Sequence, residues 1–288
     1  MKMKKTELID QYSGTSFYDK LSDTARDVVL SNLEYMRVAF GENVEYQRLF
    51  HQTLLCEATV DYLYKKPEAP VYEWGSRPVL EAAVAEATVG CTTEREKVLG
   101  LVAYIRDLKE KSHGYDYFYG GTEEDLIKKG ERYCERVARL MCALSEIAGI
   151  PARIIFHVSG GHLTNEVYIE DKWCYVDPRF GLFYLGEDGK LMSVVEITEN
   201  RDMIYKQPDW VYAYGSKEYT PEFMAKENHD MYLRPKEIQL YGSYSLKDRE
   251  RYGYNFGWMP SAAFKMPERD TAYGGYAKAR RIYLDETM

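Results

Sequence analysis

Apolar positions recur every three to four residues over several stretches of the chain, and each stretch predicts a helix. Between Ser16 and Phe40 the apolar stripe is Leu21, Ala25, Val28, Val29, Leu33 and Met36, with charged residues between them. A second helix is predicted from Val44 to about Tyr64, and Gly41-Glu42-Asn43 marks the turn of an αα-hairpin. Lys65 to Pro78, with Pro67, Pro70, Gly75 and Pro78, reads as an extended connector and a domain boundary. Thr93 with Glu96 three residues later has the form of a capping box, and Val98, Leu101, Val102, Ile105 and Leu108 follow as an apolar stripe. A glycine- and tyrosine-rich loop, His113 to Gly121, and an acidic turn at Glu123-Glu124-Asp125 lead to a helix starting near Tyr133. That helix carries Val137, Leu140, Met141, Leu144 and Ile147, and it stops at Gly149, a residue suited to a left-handed cap, before Pro151.

From Ala152 the period falls to two. Strands are predicted at Arg153 to Val158, Leu163 to Ile169 and Lys172 to Val176, with Glu170-Asp171 as the turn joining the last two. A helix running into an antiparallel sheet is an α+β arrangement. Beyond Leu191 the pattern breaks into short pieces around Tyr212, Tyr214, Tyr219, Tyr241, Tyr244, Tyr252 and Tyr254. Tyrosine suits a half-exposed sheet, and the same rings could form a substrate-binding surface. The predicted organisation is an N-terminal helical segment at 1–77, a core at 78–190, and a tyrosine-rich extension at 191–288 packed on that core.

Composition narrows the partners. A formal net charge of -8 lacks the basic surface that phosphate-backbone binding needs, so nucleic acid is not an expected partner. No apolar run follows Lys2, Lys4 and Lys5, so neither a signal peptide nor a membrane span is predicted, and the expected location is the cytoplasm. Cys56, Cys91, Cys134, Cys142 and Cys174 contain no CxxC pair, and their odd number leaves at least one free thiol, which suits a reducing compartment. Neither CxxC nor HxxxH occurs around His157 or Cys174, so no metal or cofactor is expected.

One of those thiols stands where chemistry is possible. A thiol attacks a carbonyl as the thiolate, and a helix N-terminus or an adjacent imidazolium stabilises that anion. Cys134 falls at the predicted start of its helix, with Arg132 and Arg136 as possible further positive charge, whereas Cys142 lies two turns inside, among apolar residues. A base is needed, and a carboxylate to orient it. If Glu170-Asp171 is a two-residue turn, Ile169 faces Lys172, Thr164 faces Asp177, and His162 is a diagonal neighbour of Asp177 on one face. Such neighbours are roughly 7–8 Å apart at the backbone, within side-chain reach. A three-residue turn would put Asp177 on the other face.

Together these residues resemble the transglutaminase-like superfamily. The resemblance rests on Cys134-Glu135-Arg136-Val137-Ala138, Ala143-Leu144, Gly149-Ile150-Pro151-Ala152-Arg153, His162 with Glu166-Val167-Tyr168, Trp173, and Val176-Asp177-Pro178. It spans about Thr92 to Tyr184. It implies a papain-like core, a central helix packed on an antiparallel sheet, with Cys134 as nucleophile, His162 as general base and acid, and Asp177 as its orienting carboxylate. Three departures stand out. Arg132 occupies a place where the family commonly has glycine, Thr164 one where an aromatic residue often follows the histidine, and the upstream oxyanion residue is open among Tyr115, Tyr117 and Tyr119. The implied reaction is formation of an acyl-enzyme from a peptide, protein or small amide, with hydrolysis expected. Transfer to an amine and a catalytically silent peptide- or glycan-binding module are the alternatives.

Overall fold

A computed structural model describes residues 53–55, 60–111, 122–131, 133–157, 161–234, 239–242 and 244–246. The predicted helix at 16–40, the His113 to Gly121 loop, Arg132, and Tyr252 and Tyr254 lie outside these residues.

In chain order the elements are β1 (Thr53–Leu54), α1 (Val60–Leu63), α2 (Pro78–Ala87), α3 (Glu94–Asp107), α4 (Glu123–Lys129), α5 (Cys134–Ile147), β2 (Ala152–His157), β3 (His162–Ile169), β4 (Lys172–Val176), α6 (Val194–Glu199), α7 (Asp209–Ala213), α8 (Pro221–Glu227) and β5 (Gln239–Gly242). The expected helix start at Thr93 has the full reciprocal cap: Thr93 accepts from the Glu96 N–H, and the Glu96 side chain accepts from the Thr93 N–H. The same device converts the expected acidic turn into α4, because Thr122 and Asp125 cap one another across Glu123 and Glu124. Helix α2 was not read in the sequence. It begins at Pro78, suited to a first helical turn, and buries Leu80, Ala83 and Val84. At Gly100 any Cβ would lie 2.2 Å from the Ala87 carbonyl oxygen, so glycine lets α3 approach the end of α2.

The sheet has the order β1-β5-β2-β3-β4, with every pairing antiparallel. Alternate strand residues serve two cores. Val167, Ile169, Cys174 and Val176 pack with α2, α3 and α5, while Ile155, Tyr175 and Tyr241 pack with Val194, Ile197, Ile204 and Met224 from the C-terminal region. The sheet is therefore sandwiched between helical layers, with α5 central on one face. No helix among the described residues is long and apolar enough to cross a membrane.

Two expectations are corrected. Of the helix expected over Val44 to Tyr64, residues 44–52 and 56–59 lie outside the described residues; Thr53–Leu54 are strand, paired with Tyr241 and Leu240, and among the described residues of this span helix is found at α1. Cross-strand pairing supplied by a distant segment overrides the local periodicity. Among its described residues the tyrosine-rich region is not mainly sheet. Tyr212 lies in α7 and Tyr214 and Tyr219 in turns, and among the described residues of the region the short β5, with Tyr241, is the only strand. Pro208, and Thr220 with Pro221, start helices there instead.

Candidate active site

Cys134 opens α5. Tyr133, just before it, is extended and offers no side-chain cap, so the first-turn N–H groups have no capping oxygen beside the thiol. Their partial positive charge favours an anion there. Arg136 does not supply the extra field expected of it: its guanidinium is paired with Glu131 at 2.6 Å. The arginine that acts on the thiol is Arg179, after the stronger influence of His162.

His162 is the first residue of β3 and is fully buried. Helix α5 packs on the alternate face of that strand, where the Asn165 amide donates to the Ala138 carbonyl at 2.9 Å. Only at the end of the sheet can the helix N-terminus reach round to the imidazole. Nε2 is hydrogen-bonded to Asp177 Oδ2 at 2.7 Å, which leaves Nδ1 without a hydrogen-bond partner, and the Cys134 thiol is close enough to the ring for each to act on the other's charge. The ring is held by aromatic neighbours, with Tyr232 at 4.5 Å and Phe180 at 5.4 Å between centroids.

Asp177 follows β4. The register is the one a two-residue turn demands: Ile169 pairs with Lys172 and Asn165 with Val176, while Glu170 and Asp171 both take positive φ, 52° and 60°. Continued by one residue, that ladder sets Asp177 beside Thr164 and diagonal to His162. The free Oδ1 accepts the backbone N–H groups of Arg179, at 2.9 Å, and Phe180, at 3.2 Å. The turn-forming and imidazole-orienting uses of this carboxylate are thus divided between its two oxygens.

The charges agree with the geometry. Burial opposes charge on both partners, yet the imidazole and Arg179 outweigh it and bring the Cys134 thiol below its ordinary value. Burial likewise opposes the imidazolium, but Asp177 and the facing thiol raise His162 to about 9. The other buried thiols show the contrast. Burial pushes Cys142 far up and Cys174 to about 12, so both stay protonated.

Several supporting residues received no role of their own in the site from the sequence alone. His157 stacks 6.4 Å from His162 and bonds through Nε2 to Thr164 Oγ1 at 2.8 Å, which gives Thr164 a role where an aromatic residue is common. Burial and the neighbouring His162 push His157 down to about 3, so it remains neutral. Glu166 is a buried anchor, bound by the Arg153 guanidinium, by the Tyr64 hydroxyl at 2.9 Å and by the Val194 N–H at 2.8 Å. Trp173 is in the core as expected, but it lies against the Arg153 guanidinium, 4.0 Å from ring centroid to cation, away from the imidazole. Tyr115, Tyr117 and Tyr119 lie outside the described residues.

Compared with known families, residues 81–178 match the model of the transglutaminase-like superfamily. Comparison with curated proteins and with solved structures returned no match. The matched span contains Cys134, His162 and Asp177 and ends one residue after the last of them.

Proposed function

The chain carries a transglutaminase-like domain over residues 81–178, and we propose that this domain hydrolyses an amide or peptide bond through an acyl-enzyme on Cys134. The observation that supports it is one buried imidazole bonded to Asp177 at 2.7 Å through Nε2, its Nδ1 unoccupied, with its charge coupled to that of the thiol that opens α5.

In this reading the Cys134 thiolate attacks the carbonyl carbon, and the oxyanion that forms lies against the open N–H groups at the start of α5. The C–N bond breaks as His162 gives its proton to the departing amine. Water then attacks the thioester, returns a proton to His162, and releases the acid and the free thiol. Asp177 keeps Nε2 as the nitrogen bonded to the carboxylate, so Nδ1 stays aimed at sulfur and substrate.

The test is intact mass after iodoacetamide treatment at pH 6, with the native protein beside Cys134→Ala and His162→Ala. The expected result is rapid single labelling that is lost in the first variant and much slowed in the second, because a structural thiol is inert at that pH. Slow labelling indifferent to both substitutions would leave a silent binding module as the better reading. Amide substrates offered with and without a fluorescent alkylamine then separate the two chemistries: hydrolysis gives the free acid, transfer the amine adduct.

A further inference from the structure

Arg179 stands two residues after Asp177 and is part-buried, yet its guanidinium forms no ion pair with the described residues. Other site-flanking arginines do: Arg136 is paired with Glu131 and Arg153 with Glu166. The negative charges that act on it are the Cys134 thiolate and Asp177, whose oxygens are already taken by the imidazole and by backbone N–H groups, so among the described residues no carboxylate meets its fork of donors directly. The backbone around Arg179 is fixed, because its N–H is bonded to Asp177 Oδ1 at 2.9 Å. Its guanidinium lies 5.0 Å from the Phe180 ring centroid, and that ring is 5.4 Å from His162. The cation is thus one aromatic ring away from the imidazole that faces the nucleophile.

We propose that Arg179 is a specificity-determining residue that binds a carboxylate on the substrate, close to the scissile carbonyl. A guanidinium presents its donors in a planar fork that fits a carboxylate. The groups that act on Arg179 most strongly are the thiol, Asp177 and the phenols of Tyr219 and Tyr232, with no second cation among them. One fixed positive charge matches a singly charged carboxylate better than a phosphate dianion. The substrate class is then an amide with a free carboxylate within a few bonds of the carbonyl that Cys134 attacks. The inference rests on the reading of Cys134 as an activated nucleophile.

Paired alkylating reagents test it without knowledge of the substrate. Iodoacetate and iodoacetamide form the same S–C bond and release the same iodide, but only the first carries a carboxylate beside the reacting carbon. An ordinary thiolate reacts faster with the neutral reagent. The native protein is expected to favour iodoacetate at Cys134, and R179Q to lower the ratio of the two rates about tenfold or more, the size of one lost charge-assisted hydrogen bond. Any rise in the thiol pKa in R179Q slows both reagents alike and leaves the ratio untouched. In the native protein, succinate should protect Cys134 from iodoacetamide saturably and succinamide should not, which needs no folded variant. Fast iodoacetamide labelling with no preference for iodoacetate, or a preference that survives in R179Q, overturns the role of Arg179 alone. Slow labelling by both reagents overturns the activated thiol, and the inference falls with it.

Discussion

Asp177 is a buried carboxylate whose acceptor capacity is divided, with Oδ2 toward His162 and Oδ1 toward the N–H groups of Arg179 and Phe180. Asp177→Asn can retain the second set through its amide oxygen while losing the negative charge. The expected outcome is a folded protein with kcat/KM reduced about 10³- to 10⁴-fold, since the imidazole loses both its tautomer and the stabilisation of its cation. The pH profile carries the same information. Thiolate and imidazolium coexist above the lowered value of Cys134 and below about 9 for His162, so activity should fall as pH rises through about 9. In Asp177→Asn that alkaline limb should move to lower pH, because Asp177 is what holds His162 up; an unmoved limb would mean that another group sets it. Cys134, His162 and Asp177 were legible in the sequence because their mutual spacing is specific even though each alone is unremarkable. Arg179 was not, because its nearness to the thiol comes from the turn after β4, and a linear sequence does not show which arginine that turn brings there.

Among the elements, the Glu170-Asp171 turn determines whether the carboxylate and the imidazole share a face. Its position was readable in the sequence but its length was not, because Trp173, Cys174, Tyr175 and Val176 are buried on both faces of the sheet and give no alternation that would exclude a one-residue slip. Both turn residues occupy the left-handed region, at 52° and 60°, where glycine costs less than other residues. Asp171→Gly is expected to raise unfolding stability by about 0.5–1 kcal/mol, measured by urea titration, with the triad geometry unchanged. A loss of stability would instead point to the exposed Lys66–Asp171 contact at 3.4 Å as the larger effect. The capped helices were legible where the cap residues are adjacent in sequence, as at Thr93 and Glu96. At Thr122 the same chemistry was read as a turn because α4 has only seven residues and a short apolar stripe. Strand β1, two residues long, offered no period at all to read.

At the scale of the molecule, Glu166 ties together parts that are remote in sequence. Its two oxygens gather Arg153 of β2, the Tyr64 hydroxyl just after α1 and the Val194 N–H at the start of α6. Glu166→Ala would leave the Arg153 cation buried between the Tyr64, Trp173 and Tyr241 rings without its carboxylate. The expected loss is about 3–5 kcal/mol in unfolding free energy, the range for breaking a buried ion pair from one side, and thermal or urea denaturation checks it. A loss under about 1 kcal/mol would mean that the rings alone hold the guanidinium, as at an exposed cation–π site. The sheet itself is closed late along the chain. β2 is flanked by β3 on one side and by β5 on the other, and β5 pairs onward with β1. While the protein is being synthesised, α5 and the β2–β3–β4 meander can be complete when Gln239–Gly242 has not yet left the ribosome. During that interval the backbone edge of Ile154, Ile155 and Phe156 has no native neighbour, and His162 lacks the cover of Tyr232. The nascent chain therefore holds Cys134 before it holds the surroundings that complete its site, and it carries a sticky apolar edge for the whole of the gap.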